Sequence, residues 1–203
     1  SALRRPDAGW AEHFDFARGS YDSGYGPENA VRVTHERQVL FAKPDYWIVC
    51  DRMKPEDDTE HTYEALFHLD AEEAEVDLAT GSVTVAIGDA GFRILPMGSV
   101  PVEVEMVSGQ TEPEVQGWLP TGRHNELRPI PTAVFRWASA GPSTVAFLLL
   151  PREEGEDWPV VSARPIAAEG AFALQADLPG SGRDVFVSAE DGAVVLPDLM
   201  KTN

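Results

Sequence analysis

The chain has only one cysteine, Cys50, and so cannot form an internal disulfide. This absence suits a reducing compartment, or a secreted domain large enough to be stable without disulfides. With 203 residues the chain is large enough, because a chain of this length removes roughly 70% of its unfolded surface from water on folding. Cys50 lies in the apolar run Tyr-Trp-Ile-Val-Cys, so we expect a buried packing thiol rather than a nucleophile.

Basic residues are also scarce. The chain has 16 lysines and arginines against 34 acidic residues, which gives a formal net charge of −18 at pH 7. Such a surface repels phosphate backbones and anionic lipids, so we expect neither a nucleic acid partner nor a membrane partner. No apolar run approaches the roughly 18 residues of a transmembrane helix, and no signal peptide is recognisable. The sequence leaves the compartment open, and a secreted or periplasmic bacterial parent protein is one expectation.

Short catalytic motifs are missing as well. The sequence has no G-x-S-x-G nucleophile elbow, no glycine-rich phosphate loop, no H-E-x-x-H and no cysteine pair for a metal. These absences exclude the common signatures of serine hydrolases, nucleotide-binding proteins and zinc proteases. Any active site must therefore be assembled from residues that the fold brings together.

Helical periodicity is weak throughout, whereas strand signals are frequent. Alternating, β-branched and aromatic runs bounded by turn residues predict about a dozen short strands. They include residues 31–41, 46–51, 81–87, 100–107, 132–137, 144–150, 171–178 and 184–187, and the one expected helical turn lies near residues 8–16. This pattern is typical of an all-β fold, and we predict an antiparallel two-sheet β-sandwich, supersandwich-like, with little helix.

One acidic stretch divides the chain. The sequence PREEGEDWP, residues 151–159, is predicted to be a solvated loop. It separates a main β-sandwich domain, residues 1–155, from residues 156–203. The strands of the second part either complete the sandwich or form a small appended β subdomain.

Polar residues gather on the first strong hairpin. If Lys43-Pro44-Asp45 is a three-residue loop, Arg37 lies directly opposite Asp51. His35 is then the diagonal neighbour of Asp51 on the same face of the sheet, about 7–8 Å away at Cβ. An arginine, an aspartate and a histidine are thus predicted to share one face.

The next predicted strand adds two histidines. If it returns beside the strand of Asp51, His61 lies opposite Asp51, whereas His68 points to the other face because side chains alternate along a strand. Two imidazoles and a carboxylate, from His35, Asp51 and His61, would then suit zinc. The other interpretation is that Arg37 and Asp51 form a cross-strand salt bridge beside partly exposed histidines.

Two other segments suit ligand binding. Trp10, His13, Tyr21 and Tyr25 lie close together in sequence, and their rings would suit sugars or would pack an N-terminal segment against the sheet. The stretch WLPTGRHNELR contains Arg123 and His124. Arginine binds carboxylates through bidentate hydrogen bonds, although a plain exposed loop explains this stretch equally well.

The residues of the hairpin resemble a known family. The stretch FDFARGSYDSGYGPENAVRVTHERQVLFAKPDYWIVCDRM, followed by HTYEALFHL, resembles the C-terminal β-sandwich region of the heparinase II/III-like polysaccharide lyases. The shared features are a Y…GY lead-in, a His-x-Arg that opens a strand, a Lys-Pro-Asp-Tyr-Trp turn, an aspartate that ends the next strand, and a strand ending in Phe-His-Leu. Later, GWLPTGRHNELRPIPTAVFRW and TVAFLLLP resemble the last strands of that region, so the resemblance covers residues 10–155.

This resemblance implies a lyase that cleaves uronate-containing polysaccharides by β-elimination. One group neutralises the carboxylate, a base removes the C5 proton, and an acid protonates the leaving oxygen. It also implies an N-terminal helical domain of the parent protein, outside this chain, that carries the main acid and base residues. In some members the sandwich adds a cleft histidine and a zinc held by histidine and aspartate.

Carried over to this sequence, the resemblance makes His35 the cleft or metal histidine and Asp51 the metal aspartate. Some members have a second histidine two residues after the first, where this chain has Arg37. An Arg37–Asp51 salt bridge would then replace the zinc. Arg37, Tyr25, Arg123 and His124 are the candidate substrate-binding residues.

The expected function is therefore that of a C-terminal lyase domain that forms one wall of a cleft for an acidic polysaccharide and is inactive alone. Two alternatives remain open. The first is a non-catalytic carbohydrate-binding or structural module, and the second is a stand-alone metal-dependent β-sandwich enzyme.

Overall fold

The computed structural model describes residues 7–10, 14–71, 73–88, 90–153, 155–158, 162–168, 171–178, 182–189 and 194–195. In this part of the chain the only helix is one 3₁₀ turn, Pro27–Asn29, and no helix there has the length and hydropathy needed to span a bilayer. The strands are β1 (Asp7–Trp10), β2 (Phe14–Tyr21), β3 (Val33–Ala42), β4 (Tyr46–Pro55), β5 (His61–His68), β6 (Ala74–Asp77), β7 (Ser82–Ile87), β8 (Ala90–Gly98), β9 (Glu103–Val107), β10 (Trp118–Pro120), β11 (Leu127–Pro129), β12 (Thr132–Ser139), β13 (Ser143–Arg152), β14 (Ser162–Ala168), β15 (Ala171–Leu178), β16 (Gly182–Ala189) and β17 (Val194–Val195).

The strands form four antiparallel sheets. The largest has eight strands in the order β1-β2-β3-β4-β13-β8-β7-β6. A three-stranded sheet has the order β5-β12-β9, β10 and β11 form a hairpin, and β14 to β17 form a sheet in sequence order. Strand β13 therefore enters the centre of the large sheet between β4 and β8, far from both in sequence.

Apolar side chains cover both faces of the large sheet. On one face, alternate residues of its central strands pack against the inner face of the three-stranded sheet, around Phe135, Phe147 and Trp137. On the other face a second cluster forms around Ile48, Leu148 and Leu150, with Phe172 of β15 packed against it. Because each strand alternates its side chains, strands buried on both faces read as nearly continuous apolar runs, as β13 does.

The predicted antiparallel sandwich is therefore confirmed, with differences in detail. The described residues form seventeen strands, more than the dozen expected, and β10, β11 and β17 have only two or three residues each. The helical turn expected near residues 8–16 is wrong where the structure describes it, since β1 and the start of β2 occupy this region and residues 11–13 lie outside the described part. Cys50 is completely buried, as expected for a packing thiol.

Candidate functional site

The site is built on the β3–β4 hairpin. Asp45 donates its backbone N–H to the carbonyl of Ala42 over 2.8 Å, which closes the three-residue loop. Ala42 then pairs with Tyr46, and Arg37 pairs with Asp51. The register predicted from the loop is confirmed. Because the side-chain period of a strand is two residues, this register places His35, Arg37 and Asp51 on one face.

Asp51 lies at the centre of the site and is almost completely buried, with a side-chain exposure of 1%. Arg37 donates from Nε to Oδ1 over 2.7 Å and from Nη2 to Oδ2 over 2.7 Å. His35 Nε2 lies 2.8 Å from Oδ1. Such charge-assisted, bidentate bonds are among the stronger hydrogen bonds in proteins. One carboxylate thus fixes both a guanidinium and an imidazole.

Asp51 and Arg37 each favour the ionised state of the other. Burial raises the pKa of Asp51, but the hydrogen bonds from Arg37 and His35, together with their charges, lower it to a net value below its ordinary range. The hydrogen bond to Asp51 raises the pKa of Arg37. At neutral pH, Asp51 is therefore an anion and Arg37 a cation. An ionised carboxylate can only accept, so His35 Nε2 carries a proton and its Nδ1 is the nitrogen that can accept one.

Tyr21 and Tyr25 lie at the open side of this cluster. Tyr21 pairs with His35 across β2 and β3, so the two side chains share the face of Arg37 and Asp51. Tyr25 is close enough to Arg37 and Asp51 for their charges to affect its pKa. Gly19 lies opposite Arg37 on β2, and a side chain there would meet nothing within 4 Å. The space above Arg37 is thus open.

The other predicted site residues lie elsewhere. Strand β5 pairs with β12 and not with β4, so the prediction that His61 lies opposite Asp51 is wrong. His61 Nε2 instead contacts Asp57 Oδ1 over 2.7 Å. Arg123 and His124 lie in the exposed loop of the β10–β11 hairpin, where Arg123 reaches Glu126 at 3.7 Å. Among the described residues, no hydrogen bond or ion pair joins this loop to the Asp51 cluster.

The zinc expectation can be compared with the donors that the fold supplies. His35 and Asp51 are adjacent, but Arg37 occupies both oxygens of Asp51. Across the described ranges, no group of three or more His, Cys, Asp or Glu side chains is arranged to hold a metal. A protein zinc site needs at least three such ligands. The donor set around Asp51 therefore does not fit a zinc ion, and the guanidinium of Arg37 supplies the positive charge instead.

We expect the purified chain to contain much less than one zinc per chain, because displacing Arg37 would cost Asp51 its bidentate partner. Elemental analysis of the wild-type protein and of His35→Ala measures this, and both should give the same background. Arg37→His is the positive comparison, because it adds a second imidazole beside Asp51 and should raise the zinc content. One zinc per wild-type chain that is lost in His35→Ala would contradict this prediction.

A second polar cluster, which was not predicted from the sequence, lies on the opposite face of the same strands. Glu36 is buried and accepts a hydrogen bond from Arg18 Nε over 2.9 Å and one from Gln38 Nε2 over 2.9 Å. Arg52 Nη1 lies 3.9 Å from Glu36 Oε1, the oxygen that also accepts from Gln38. The signal was present in the sequence, because Glu36 and Gln38 alternate with His35 and Arg37. A strand that is polar on both faces has one charged cluster on each side of the sheet.

Several solved protein structures have a fold similar to that of this chain. Solved structures of similar fold include the heparan sulfate lyase HepC from Pedobacter heparinus, with a TM-score of 0.70 and 17% sequence identity over 97% of this chain. The Heparinase III-BT4657 gene product has a TM-score of 0.68 and 10% identity over 90% of this chain. Another heparinase III structure has a TM-score of 0.65 and 12% identity over 97% of this chain. No curated protein sequence gives a significant match.

The similarity covers only part of these larger proteins. This chain corresponds to 28% of HepC, 27% of the Heparinase III-BT4657 product and 26% of the other heparinase III. At such low identity the structures establish the fold alone. The family model "Heparinase II/III-like, C-terminal" matches residues 11–146, which is more than half of the chain and includes the whole Asp51 cluster. The chain therefore belongs to the heparinase II/III-like C-terminal family.

Proposed function

We propose that this chain forms one wall of the substrate cleft of a polysaccharide lyase that acts on a uronate-containing chain by β-elimination. The observation that supports this most is Arg37, which Asp51 fixes in place while 48% of its side chain stays exposed. Family membership supports the reaction class. The similar structures named as heparan sulfate lyase and heparinase III are consistent with an acidic polysaccharide as the substrate.

Arg37 has donors left for a substrate carboxylate. A guanidinium has five N–H donors, and Asp51 accepts one from Nε and one from Nη2. The Nη1 group and the second hydrogen of Nη2 point along the remaining edge, which is the geometry that binds a carboxylate in a bidentate manner. In β-elimination the proton leaves the carbon next to this carboxylate. A fixed cation there stabilises the charge that develops as the proton leaves.

His35 is oriented for a role in the same cleft. Asp51 accepts from Nε2, so Nδ1 is the ring nitrogen that is not held by Asp51. A carboxylate that orients an imidazole in this way is a common arrangement around catalytic bases. Within the proposal, His35 contacts the sugar next to the one whose carboxylate Arg37 binds.

The missing chemistry belongs to the rest of the parent protein. The chain corresponds to little more than a quarter of its structural relatives, and the helical domain implied by the resemblance would carry the main acid and base. General acid–base catalysis requires all these groups at hydrogen-bond distance from the reacting atoms. We therefore propose that the isolated chain binds its polysaccharide weakly and is inactive, or nearly so.

Titration calorimetry with an unsulfated uronate oligosaccharide, such as a hyaluronan hexasaccharide, tests this proposal. The informative variant is the double substitution Arg37→Ala with Asp51→Asn, because it removes the cation without leaving a buried charge. Loss of a charge-assisted hydrogen-bonded contact of about 1.5–3 kcal/mol should weaken binding roughly 10-fold to 100-fold.

Arg136→Ala is the matched control. Arg136 is also a partly exposed arginine paired with a carboxylate, Glu64, but it lies on the three-stranded sheet. This variant should bind like the wild type. Equal losses in both variants would contradict a specific role of Arg37, because the double substitution leaves the net charge of the chain unchanged whereas Arg136→Ala makes it more negative. Efficient formation of 4,5-unsaturated uronate by the wild-type chain alone would contradict the two-domain proposal.

A further inference from the structure

Two exposed tyrosines touch each other beside the Asp51 cluster. Tyr21 is 38% exposed and Tyr25 is 39% exposed. Their ring centroids are 5.2 Å apart with an interplanar angle of 64°, which is an edge-to-face contact. Val31, the bridge partner of Tyr25, is also exposed at 38%. Single exposed apolar residues are ordinary, but a contiguous exposed group next to charged residues indicates a binding surface.

The backbone holds this pair in position. Tyr25 and Val31 exchange backbone hydrogen bonds of 2.8 and 3.0 Å, and the Tyr21 hydroxyl donates to the carbonyl of Gly24 over 2.9 Å. In the segment between Tyr25 and Val31, Glu28 and Asn29 both have positive φ angles, 55° and 57°. This conformation is unfavourable for most residues other than glycine. A loop held in this conformation by cross-bridging hydrogen bonds presents Tyr25 in a fixed orientation, so binding would require little ordering.

Gly24 is essential for this loop. Its φ is +85°, and a Cβ at this position would lie 2.7 Å from the carbonyl oxygen of Asn29. Both facts exclude a side chain there without movement of the backbone. The sequence Tyr-Asp-Ser-Gly-Tyr thus places two rings on one surface through a turn that only glycine permits.

The Tyr25 hydroxyl lies close enough to the charged cluster for Asp51 and Arg37 to affect its pKa. Burial raises the pKa of Tyr25, and the neighbouring Tyr21 and Asp51 raise it further against the opposing effect of Arg37. The phenol therefore stays protonated at neutral pH and can donate a hydrogen bond. A ring with an apolar face and a polar tip matches a pyranose, which has C–H groups on its faces and hydroxyls on its rim.

We infer that Tyr21 and Tyr25 form a sugar-stacking subsite in which Tyr25 stacks on the pyranose whose carboxylate Arg37 binds. The inference deepens the proposed function and rests on it for the identity of the ligand. The ring of Tyr25 stacks on the sugar, Tyr21 packs edge-to-face against Tyr25, and Arg37 binds the carboxylate of the sugar. The ligand class is a pyranose unit that bears one carboxylate.

Binding of two oligosaccharides, one acidic and one neutral, tests stacking on Tyr25 separately from binding of a carboxylate by Arg37. The hyaluronan hexasaccharide carries carboxylates, whereas cellohexaose has pyranose rings of similar number and no charge. Tyr25→Ala should weaken the binding of both ligands about 10-fold, the size expected for loss of one stacked aromatic ring. Tyr25→Phe keeps the ring and should stay within about threefold of the wild type. The Arg37→Ala and Asp51→Asn double variant should weaken only the acidic ligand.

The outcomes distinguish the stacking subsite at Tyr25 from the binding of a carboxylate by Arg37. If Tyr25→Ala binds both ligands like the wild type, the stacking subsite is wrong, whatever Arg37 does. If Tyr25→Phe loses as much as Tyr25→Ala, the hydroxyl and not the ring makes the contact, and stacking is also wrong. If the tyrosine variants behave as expected while the Arg37 variant binds the acidic ligand normally, the carboxylate role of Arg37 fails and the subsite stands. Near-ultraviolet circular dichroism of every variant checks that the fold is retained.

Discussion

Replacing Arg37 by alanine should lower the free energy of unfolding by about 3–5 kcal/mol, because it leaves a buried carboxylate without its main counter-charge. Asp51 is 1% exposed and receives both of its shortest hydrogen bonds from this one guanidinium. His35 remains beside it, but an imidazole must first take up a proton to supply a full positive charge. Substitution of the exposed residue, Arg37, therefore lowers stability because it leaves the buried residue, Asp51, with an uncompensated charge.

A second substitution should restore much of the stability that Arg37→Ala loses. Adding Asp51→Asn to Arg37→Ala removes the uncompensated charge and should recover most of the lost stability, even though it removes another native group. Urea unfolding of the wild type, both single variants and the double variant forms a double-mutant cycle that isolates the coupling. Arg136→Ala, at an exposed ion pair, should change stability by no more than about 1 kcal/mol. A double variant less stable than Arg37→Ala would disprove the charge argument.

The same pair sets a dependence on pH. The pKa of Asp51 is lower in the folded protein than its ordinary value, which is about 3.9 in an unfolded chain. Its contribution to stability is fully present above the unfolded value and is lost as pH falls through the folded one. In Arg37→Ala the effect of burial is less opposed, so the pKa of Asp51 rises. The stability gap between wild type and variant should therefore be widest near pH 7 and should narrow as pH falls first through the raised pKa of Asp51 in the variant and then through its lowered pKa in the wild type.

The hairpin could be predicted from sequence because all its determinants are local. The loop at residues 43–45 and the two-residue alternation together fix the pairing of Arg37 with Asp51. The neighbour on the other side of β4 could not be predicted in this way. Strand β13 takes that place, with Val145 paired to Asp51. Nothing near Asp51 in sequence identifies this distant strand as its neighbour, although β13 is apolar along most of its length whereas β5 alternates polar and apolar residues.

The aromatic part of the site was only partly foreseeable. Tyr21 and Tyr25 stand out in the sequence as aromatic residues in a polar stretch. The approach of Tyr25 to Arg37 depends on backbone angles at residues 24–29 that are positive at two non-glycine positions, and propensities do not predict such angles. His61 shows the opposite failure. Its residue type suited the zinc site, but its strand belongs to the other sheet.

Replacing Phe147 by alanine is the other substitution with a large expected effect, because this ring joins the two sheets on which the site depends. Phe147 is fully buried. Its ring centroid lies 5.1 Å from that of Phe67 and 5.0 Å from that of Phe135, and both of these residues belong to the three-stranded sheet. Truncation of a buried phenylalanine leaves a cavity and costs about 3–5 kcal/mol. For a domain of this size, such a loss lowers Tm by roughly 10 °C.

The effect should reach the site as well as the core. Phe147 pairs with Val49 across β13 and β4, two residues from Asp51 on the same face. Differential scanning calorimetry gives Tm, and titration with the hyaluronan hexasaccharide reports whether the β3–β4 face keeps its shape. Phe147→Leu conserves most of the apolar volume and should cost less than about 1.5 kcal/mol, while Leu127→Ala, at an exposed position on β11, should cost less than about 0.5 kcal/mol. If Phe147→Ala costs no more than Leu127→Ala, the two sheets are not held together by these rings, and the position of Asp51 has another cause.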